Sequence, residues 1–355
     1  MGLFSSKPTK QSYIGFDVGQ SGIKICELQN EKGRARLVTY AYSELPSESL
    51  EKALTDDIDI TAAFVRKMLS KAKTTTKLAI GALPISSVFS SIITVPAVSE
   101  KELNEAITLQ AKKLIPVPLD EVSLDHKTID STVGDGGKKA TRVLLTGAPK
   151  NLVSRYVSLA KKSGLDLISL ETEAFAEIRS LIGKDRSSIM VIDIGSTRTN
   201  ISVIEKGVPF LNRSIATGGV NITQTISKTL GIPYEQAENM KRDIKALQGF
   251  TQASDISPIL NTLLKPVIDE IRYSFNLYQG QKEDGQLKKI DKIILTGGSS
   301  QLPRLPEFVT SLMNVNAYLG DPWARVIYPL DLRPVLEEIG SRFAVSIGCA
   351  MRDIE

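Results

Sequence analysis

Two aspartates, Asp17 and Asp193, each close an apolar run and stand two residues ahead of a glycine. The first copy reads Tyr13-Ile14-Gly15-Phe16-Asp17-Val18-Gly19-Gln20-Ser21-Gly22-Ile23-Lys24-Ile25. The second reads Ile189-Met190-Val191-Ile192-Asp193-Ile194-Gly195-Ser196-Thr197-Arg198-Thr199-Asn200-Ile201. Each is read as a strand, an acid, a glycine-centred turn and a returning strand. Glycine beside aspartate lets the backbone bend until successive N–H groups point into one hollow, where they bind phosphate oxygens. The aspartates then hold Mg²⁺, largely through water, because that ion keeps much of its hydration shell. Lys24 can reach a terminal phosphate as a compact point charge. A single Asp-x-Gly is more often a plain β-turn. Two aligned copies in one chain favour a shared clamp for a polyphosphate and its metal ion.

Two more glycine blocks follow. Leu295-Thr296-Gly297-Gly298-Ser299-Ser300 ends the apolar run Ile290 to Leu295, which suits close approach of a flat base or a sugar to the backbone. An ordinary strand-to-helix loop explains the same letters. Gly218-Gly219 is followed by Glu238 and Lys241. Residues three apart share a helix face, so that pair either meets a ribose or base or forms a surface ion pair of little energetic value. Both readings stay open.

The elements that must carry these residues follow from periodicity. Strands are expected over Ile23 to Gln29 and Ala35 to Tyr42 around a Gly33 turn, then an amphipathic helix over Ile60 to Lys71 and a buried strand over Leu78 to Leu83. The second half repeats the plan, with strands over Met190 to Asp193, Asn200 to Glu205 and Pro209 to Ala216, and Lys206-Gly207 as a hairpin turn. Helices over Val220 to Leu230, Tyr234 to Leu247 and Ile256 to Gln281 precede the strand Ile290 to Leu295. A three-stranded meander followed by helices and strands, present twice, describes two related α/β domains. Between them, from about Ser86 to Leu165, lies a different pattern. Ser99-Glu100-Lys101-Glu102 reads as a capping box opening a helix with Leu103, Ala106, Ile107, Ala111 and Leu114 on one face. Pro116-Val117-Pro118 stops it. Strands near Val122 to Ile129 and Arg142 to Thr146 flank Gly134-Asp135-Gly136-Gly137, and a helix over Asn151 to Ser163 closes at Gly164. This is a small α+β subdomain inserted in the first half only.

Composition sets bounds. At 355 residues the chain is long for one domain. A net charge of +4, from 44 basic and 40 acidic residues, is too even to suggest nucleic acid. Two cysteines, Cys26 and Cys349, lie in apolar segments with no C-x-x-C pattern, so a zinc site or disulfide framework is not expected. They read as reduced core thiols of a cytoplasmic protein. No apolar run follows the basic residues near the start, so no signal peptide is expected. The uncharged stretch Leu78 to Val98 is broken by Pro84 and Pro96 and reads as strands and loops, not a span. Met1-Gly2-Leu3-Phe4-Ser5-Ser6 matches a myristoylation pattern in letter only.

The four glycine blocks, in this order and over the whole chain, resemble the actin-like ATPase superfamily. Within it the chain is most similar to the PilM family of type IV pilus assembly proteins, and next to the FtsA family of cell-division proteins. The stretch from Ala106 through Leu109-Gln110-Ala111-Lys112-Lys113-Leu114-Ile115-Pro116-Val117-Pro118-Leu119-Asp120-Glu121-Val122 looks like PilM, as does Glu171-Thr172-Glu173-Ala174-Phe175-Ala176 at a crossover helix. Gly340 to Arg352 looks like the second crossover helix of both families, where Gly348 and Ala350 would allow close packing.

The resemblance implies duplicated actin-like (ribonuclease H-like) domains with ATP and Mg²⁺ between them. The expected boundaries are 1–85 for the first part of the first domain and 86–168 for the inserted, partner-binding subdomain. A crossover at 169–188, the second domain at 189–333 and a returning helix at 334–355 complete the plan. Gly19, Gln20, Ser21 and Lys24 match the first phosphate turn; Gly195, Ser196, Thr197 and Arg198, with Asn200, match the second. Gly218, Gly219, Glu238 and Lys241 with Gly297, Gly298 and Ser299 make the adenosine side. Asp17 and Asp193 are the metal residues, and Glu173, with Asp17, takes the catalytic position that orients water; helix capping is the alternative for Glu173. Gln20 departs from the Ser or Thr of the family. The expected partner is the short cytoplasmic N-terminal tail of a PilN-like inner-membrane protein, docked beside the inserted subdomain at the inner face of the membrane. Any turnover is expected to be slow, and self-association stays open. Two other readings compete. An FtsA-like filament would carry a C-terminal amphipathic helix, which a chain ending at Ile354-Glu355 is not expected to have. A small-molecule kinase would need a base in a polar acceptor pocket, and the lone His126 has no evident acid partner.

Overall fold

The computed structural model describes residues 11–20, 22–43, 57–96, 100–133, 139–243, 257–283 and 285–354. Ser21, the Ser99 cap, the Gly134–Gly137 loop, Met1–Ser6 and the stretch beyond residue 243 of the expected Tyr234–Leu247 helix lie outside these. The first half opens with β1 (Ser12–Gly19), β2 (Gly22–Glu31) and β3 (Arg34–Tyr42), an antiparallel meander. The turn between β2 and β3 places Lys32 and Gly33 in the left-handed region (φ 55° and 82°), the geometry that two-residue hairpin loops prefer. Helix α1 (Ile58–Ala72) follows, its N-terminus capped by the Asp57 carboxylate on the Ile60 amide. β4 (Leu78–Leu83) then lies parallel to β1.

The inserted segment contributes β5 (Phe89–Pro96), α2 (Glu100–Leu114), β6 (Val122–Val133) and β7 (Lys139–Pro149), with sheet order β5-β7-β6. Its own core joins Ile93, Val95, Ile107, Ala111, Ile115, Val122, Val143 and Leu145. α3 (Lys150–Ser163) does not belong to that core. Its Tyr156, Leu159 and Ala160 pack with Ile14, Phe16, Ile23 and Val65 of the first domain. The inserted layer proper is therefore one helix on three strands, and the chain has already rejoined the first domain before residue 168. β8 (Asp166–Thr172) completes a six-stranded sheet ordered β16-β3-β2-β1-β4-β8, in which β16 is Val326–Ile327.

The crossover is shorter than a full helix. α4 (Glu173–Glu177) passes into a π-helical turn, Ile178–Ile182, that ends at Gly183 (φ 64°). The second half then repeats the first. β9 (Ile189–Ile194), β10 (Thr199–Glu205) and β11 (Val208–Ile215) form the meander, with Lys206-Gly207 as its hairpin turn. α5 (Gly219–Leu230) and α6 (Tyr234–Arg242) follow. The helix expected as one piece over Ile256 to Gln281 is two, α7 (Ser257–Leu263) and α8 (Lys265–Gln279). Pro266 has no N–H to continue the ladder and suits the first turn of a new helix. A two-residue hairpin, β12 (Lys282–Glu283) and β13 (Gln286–Leu287), leads to β14 (Lys292–Thr296), which lies parallel to β9. α9 (Leu305–Met313) and β15 (Ala317–Leu319) close the second sheet, ordered β11-β10-β9-β14-β15.

The chain returns through α10 (Arg333–Ile339) and α11 (Ala344–Ala350). α11 packs on β1 and on α4. A Cβ at Gly348 would stand 1.9 Å from the Ala176 carbonyl oxygen, so only glycine lets the two crossover segments touch backbone to backbone, as the sequence led us to expect. No helix among the described residues is long and apolar enough to cross a membrane.

Candidate functional site

The two glycine turns face one cleft of about 700 Å³ that also takes in the Gly297 block and the face of α6. β1 and β9 occupy equivalent places in their sheets, each between its hairpin partner and a parallel strand, so each aspartate leaves the same end of a buried strand. Asp17, Gly19, Gln20 and Lys24 line the first side. Asp17 pairs across the hairpin with Lys24, whose Nζ lies 3.4 Å from Asp17 Oδ2 with both side chains largely buried. Gln20 is exposed at the tip.

Asp193, Gly195, Ser196, Thr197, Arg198 and Asn200 line the second side. This turn is stitched from behind. The Gly195 amide donates to the Arg198 carbonyl (2.9 Å), and the Gly219 and Val220 amides donate to the carbonyls of Gly195 (2.9 Å) and Ser196 (2.8 Å). Gly218 stays behind the lining, where its amide donates to Asn221 Oδ1 at 3.0 Å. The Gly219 and Val220 amides thus brace the second turn, while Gly219 itself lines the cleft. Gly297 (φ 85°) requires glycine, since a Cβ there would stand 2.1 Å from Asp193 Oδ1. Ser299 Oγ donates to the Gly195 carbonyl at 3.4 Å, tying the third glycine block to the second.

Glu238 and Lys241 do line the cleft, yet they form a buried pin, not a surface ion pair. Lys241 Nζ donates to Glu238 Oε2 (2.6 Å), Thr223 Oγ1 (2.8 Å) and the Gly219 carbonyl (3.2 Å). Burial pushes the Lys241 pKa down against the pull of Glu238. Burial also acts to raise Glu238, but Lys241, the Thr223 hydroxyl and Arg242 outweigh it and hold the carboxyl below its usual value.

The crossover adds two acids to the cleft, Glu173 and Glu177. Glu173 Oε2 accepts from the Ile85 amide (2.9 Å) and from Asn200 Nδ2 (3.2 Å). It lies deep yet keeps part of its surface on the cleft. Burial, then the charges of Asp17 and Asp193, push its pKa up to about 8. Asp193 is raised to about 6, by burial first; Lys24 and the Asn200 hydrogen bond oppose that, while Asp17 adds to it. The Asp17 charge is thus felt at the second turn, in keeping with the two hairpins lining one cleft. Glu177, absent from the sequence reading, is 1% exposed, lines the cleft and leaves Oε1 without a hydrogen bond. Burial first, and then Asp193, Glu173 and Asp17, raise its pKa well above normal. Its signal was present in sequence as a glutamate four residues after Glu173, on the same helix face. Tyr234, Arg242 and Arg342 also line the cleft and went unremarked.

Every described residue expected at the site thus reaches the cleft except Gly218. Ser21 lies outside the described residues. His126 is exposed on β6 and absent from the cleft wall. Four carboxyls gathered at one place, with Asp193 raised to about 6 and Glu173 to about 8, are a field that a cation would relieve. Among the described residues no group of three or more His, Cys, Asp or Glu side chains could hold a metal ion directly.

The family model for type IV pilus assembly protein PilM matches residues 15–354. Among solved structures, the chain is similar to a PilM–PilN type IV pilus biogenesis complex, with 24% identity, a TM-score of 0.81, and 97% of this chain and 98% of that chain covered. It is also similar to the ethanolamine utilization protein EutJ from Carboxydothermus hydrogenoformans (16% identity, TM-score 0.55, 97% and 90% covered). A third likeness is to MreB5 of Spiroplasma citri bound to ADP (13% identity, TM-score 0.52, 96% and 95% covered). At these identities the structural likenesses establish the shared actin-like fold.

Proposed function

Because the chain belongs to the PilM family of type IV pilus assembly proteins, we propose that it is an ATP-binding scaffold of pilus assembly whose nucleotide state governs docking of a PilN-like tail. The observation that carries this reading is the single cleft walled by two opposed Asp-x-Gly turns, with a glycine-rich third wall. In this reading the triphosphate lies between the turn at Gly19 and Gln20 and the turn at Gly195 to Arg198, with Lys24 and Arg198 against its charge. The base and ribose lie toward Gly297, Gly298 and Ser299, beside the Glu238–Lys241 pin. Asp17 and Asp193 would hold Mg²⁺ through water; the ion supplies charge neutralisation at the phosphates. Glu173, with a pKa near 8 before any ligand enters, stands where it accepts or holds a proton beside the phosphates. Bound cation would favour its ionised form.

The partner reading rests on the family and on the fold shared with the PilM–PilN complex. The inserted layer leaves Leu109, Leu114 and Val117 exposed to solvent, apolar side chains on and just beyond α2 that a short tail could cover. Such docking would hold the protein at the inner face of the cytoplasmic membrane through its partner. Titration calorimetry with ATP and Mg²⁺, followed by a synthetic N-terminal peptide of the PilN-like protein, tests both halves. Absence of nucleotide uptake removes the cleft assignment; absence of peptide binding in every nucleotide state removes the docking assignment.

A further inference from the structure

The inserted subdomain is anchored at a point where the cleft's own polar groups end. Its root is a short 3-10 turn, Ile85–Ser87, and the first amide of that turn donates to Glu173 Oε2 at 2.9 Å. The same oxygen accepts from Asn200 Nδ2 at 3.2 Å, so one atom of the crossover joins the first half to the second. From Asn200 the line continues. Asn200 Oδ1 accepts from Ser214 Oγ at 2.7 Å, and Ser214 Oγ accepts from Arg198 Nε at 3.2 Å. Arg198 belongs to the second glycine turn and lines the cleft, whereas Ser214 is not part of the cleft wall.

Packing follows the same route. β11, which carries Ser214, rests against the Ile85–Ser87 turn and against β5 of the inserted sheet. On the other side of the root, Lys127 of β6 places its ammonium 5.3 Å from the centre of the Phe175 ring on α4. The inserted layer thus touches the second half through β11 and the crossover through Phe175 and Glu173, while β6 and β7 also meet α3 of the first domain.

We propose that Ser214 is a positioning residue in a polar relay, Arg198–Ser214–Asn200–Glu173–Ile85, which passes occupancy of the phosphate turns to the root of the partner-binding subdomain. The physical step is a redistribution of hydrogen bonds. A phosphate drawing on the Arg198 guanidinium pulls Nε away from Ser214 Oγ, and the hydroxyl and the Asn200 amide readjust with it. Glu173 then holds the Ile85 amide more or less tightly according to what lies in the cleft. Coupling of this kind requires a contiguous network with two arrangements, and the cleft supplies them by closing around its ligand.

This inference rests on the reading of the cleft as an ATP site, so the experiment must separate the two. Hydrogen exchange of the full chain would be followed at the amides of Ile85 to Ser87, with and without ATP and Mg²⁺, while calorimetry records nucleotide affinity on the same samples. In the wild type, ATP should change exchange at the root at least about fivefold, the lower end of ordinary allosteric coupling. In Ser214→Ala, affinity for ATP should stay within about threefold, because the residue does not line the cleft, and the change at the root should disappear. Ser214→Thr keeps the hydroxyl and should restore it; it also guards against a general packing defect in the alanine variant. Normal ATP binding with an unchanged root in the wild type overturns the relay, as does a full response in Ser214→Ala. If the wild type takes up no ATP, the cleft assignment falls first and the relay with it.

Discussion

The first and second glycine turns share a pattern but not a construction. The first is a bare hairpin whose aspartate is matched by a lysine on the returning strand, Asp17 with Lys24. The second has no lysine in that register; Asn200 stands opposite Asp193. What the second turn lacks in charge it has in bracing. Amides from the start of α5 bind its carbonyls, and Gly297 presses its backbone against Asp193. Lys24 therefore acts on both aspartates: it pulls the Asp193 pKa down from across the cleft and does the same for Glu173. Duplication gave two similar loops. One loop is the braced wall of the cleft and the other carries its charge.

If that contrast is right, adding a methyl group should be far worse on the second side. Gly297→Ala forces a left-handed residue and a Cβ 2.1 Å from Asp193 Oδ1 and 2.6 Å from the Ile194 carbonyl. The expected loss is roughly 3 kcal/mol of stability, from the backbone conformation and overpacking together. On the first side, the Cβ of Gly19→Ala would meet chiefly the Lys24 ammonium, at 2.9 Å. That is the far end of a flexible chain, so the loss should stay within about 1 kcal/mol. Chemical denaturation of the two variants decides it. Equal losses would mean that the second turn is no more rigid than the first.

Charge should show the opposite asymmetry. Lys24→Met removes the ammonium felt by both turns and should weaken ATP binding about 10- to 100-fold, the range of one charge-assisted hydrogen bond. Calorimetry in the presence of Mg²⁺ measures this directly. A loss under about threefold would show that the second turn binds the phosphates without its neighbour's help.

The acids on the crossover give a pH test with a definite sign. Glu173 has a folded pKa near 8, above its ordinary value of 4.5. Between those values the folded state holds the proton more tightly than the unfolded chain. Stability of the ligand-free protein should therefore fall as pH rises from 6 to 8, by up to about 1.4 kcal/mol per pH unit for one group. Glu173→Gln should flatten part of this slope; Glu177, also raised by burial, keeps the rest. Thermal melts at three pH values suffice, and a ligand-free protein that grew more stable toward pH 8 would contradict the assigned burial.

Much of this was readable in sequence, and the limits have physical causes. Asp-x-Gly at the end of an apolar run fixes a strand and a turn locally, so β1, β9 and their two turns could be placed before any coordinates. The assignment of α3 failed because helix periodicity says which face is apolar but not which sheet it meets; Tyr156 and Leu159 pack against Ile14 and Phe16 of the first domain. Glu177 stayed hidden because an i,i+4 pair of acids looks like a solvated face until burial is known. The bracing role of the Gly219 and Val220 amides depends on tertiary hydrogen bonds to Gly195 and Ser196, which no local pattern records.

The smallest effect is expected at Gln20, the residue at the tip of the first turn. The side chain is exposed at the tip of the hairpin, and in the proposed binding mode the main grip on phosphate comes from backbone amides and Lys24. A neutral side-chain hydrogen bond contributes about 0.5–1.5 kcal/mol, so Gln20→Ser should alter ATP affinity by no more than about tenfold. If the amide does touch phosphate, the shorter hydroxyl will sit closer to the turn and bind through a smaller arc of rotamers. Comparing affinity and turnover in the same variant separates the possibilities. A change in turnover alone would place Gln20 in the path of the attacking water, whereas a loss of affinity alone would make it part of the grip. A loss greater than that of Lys24→Met would reverse the division of labour between the turns, because it would put the decisive contact of the first turn on a group that carries no charge.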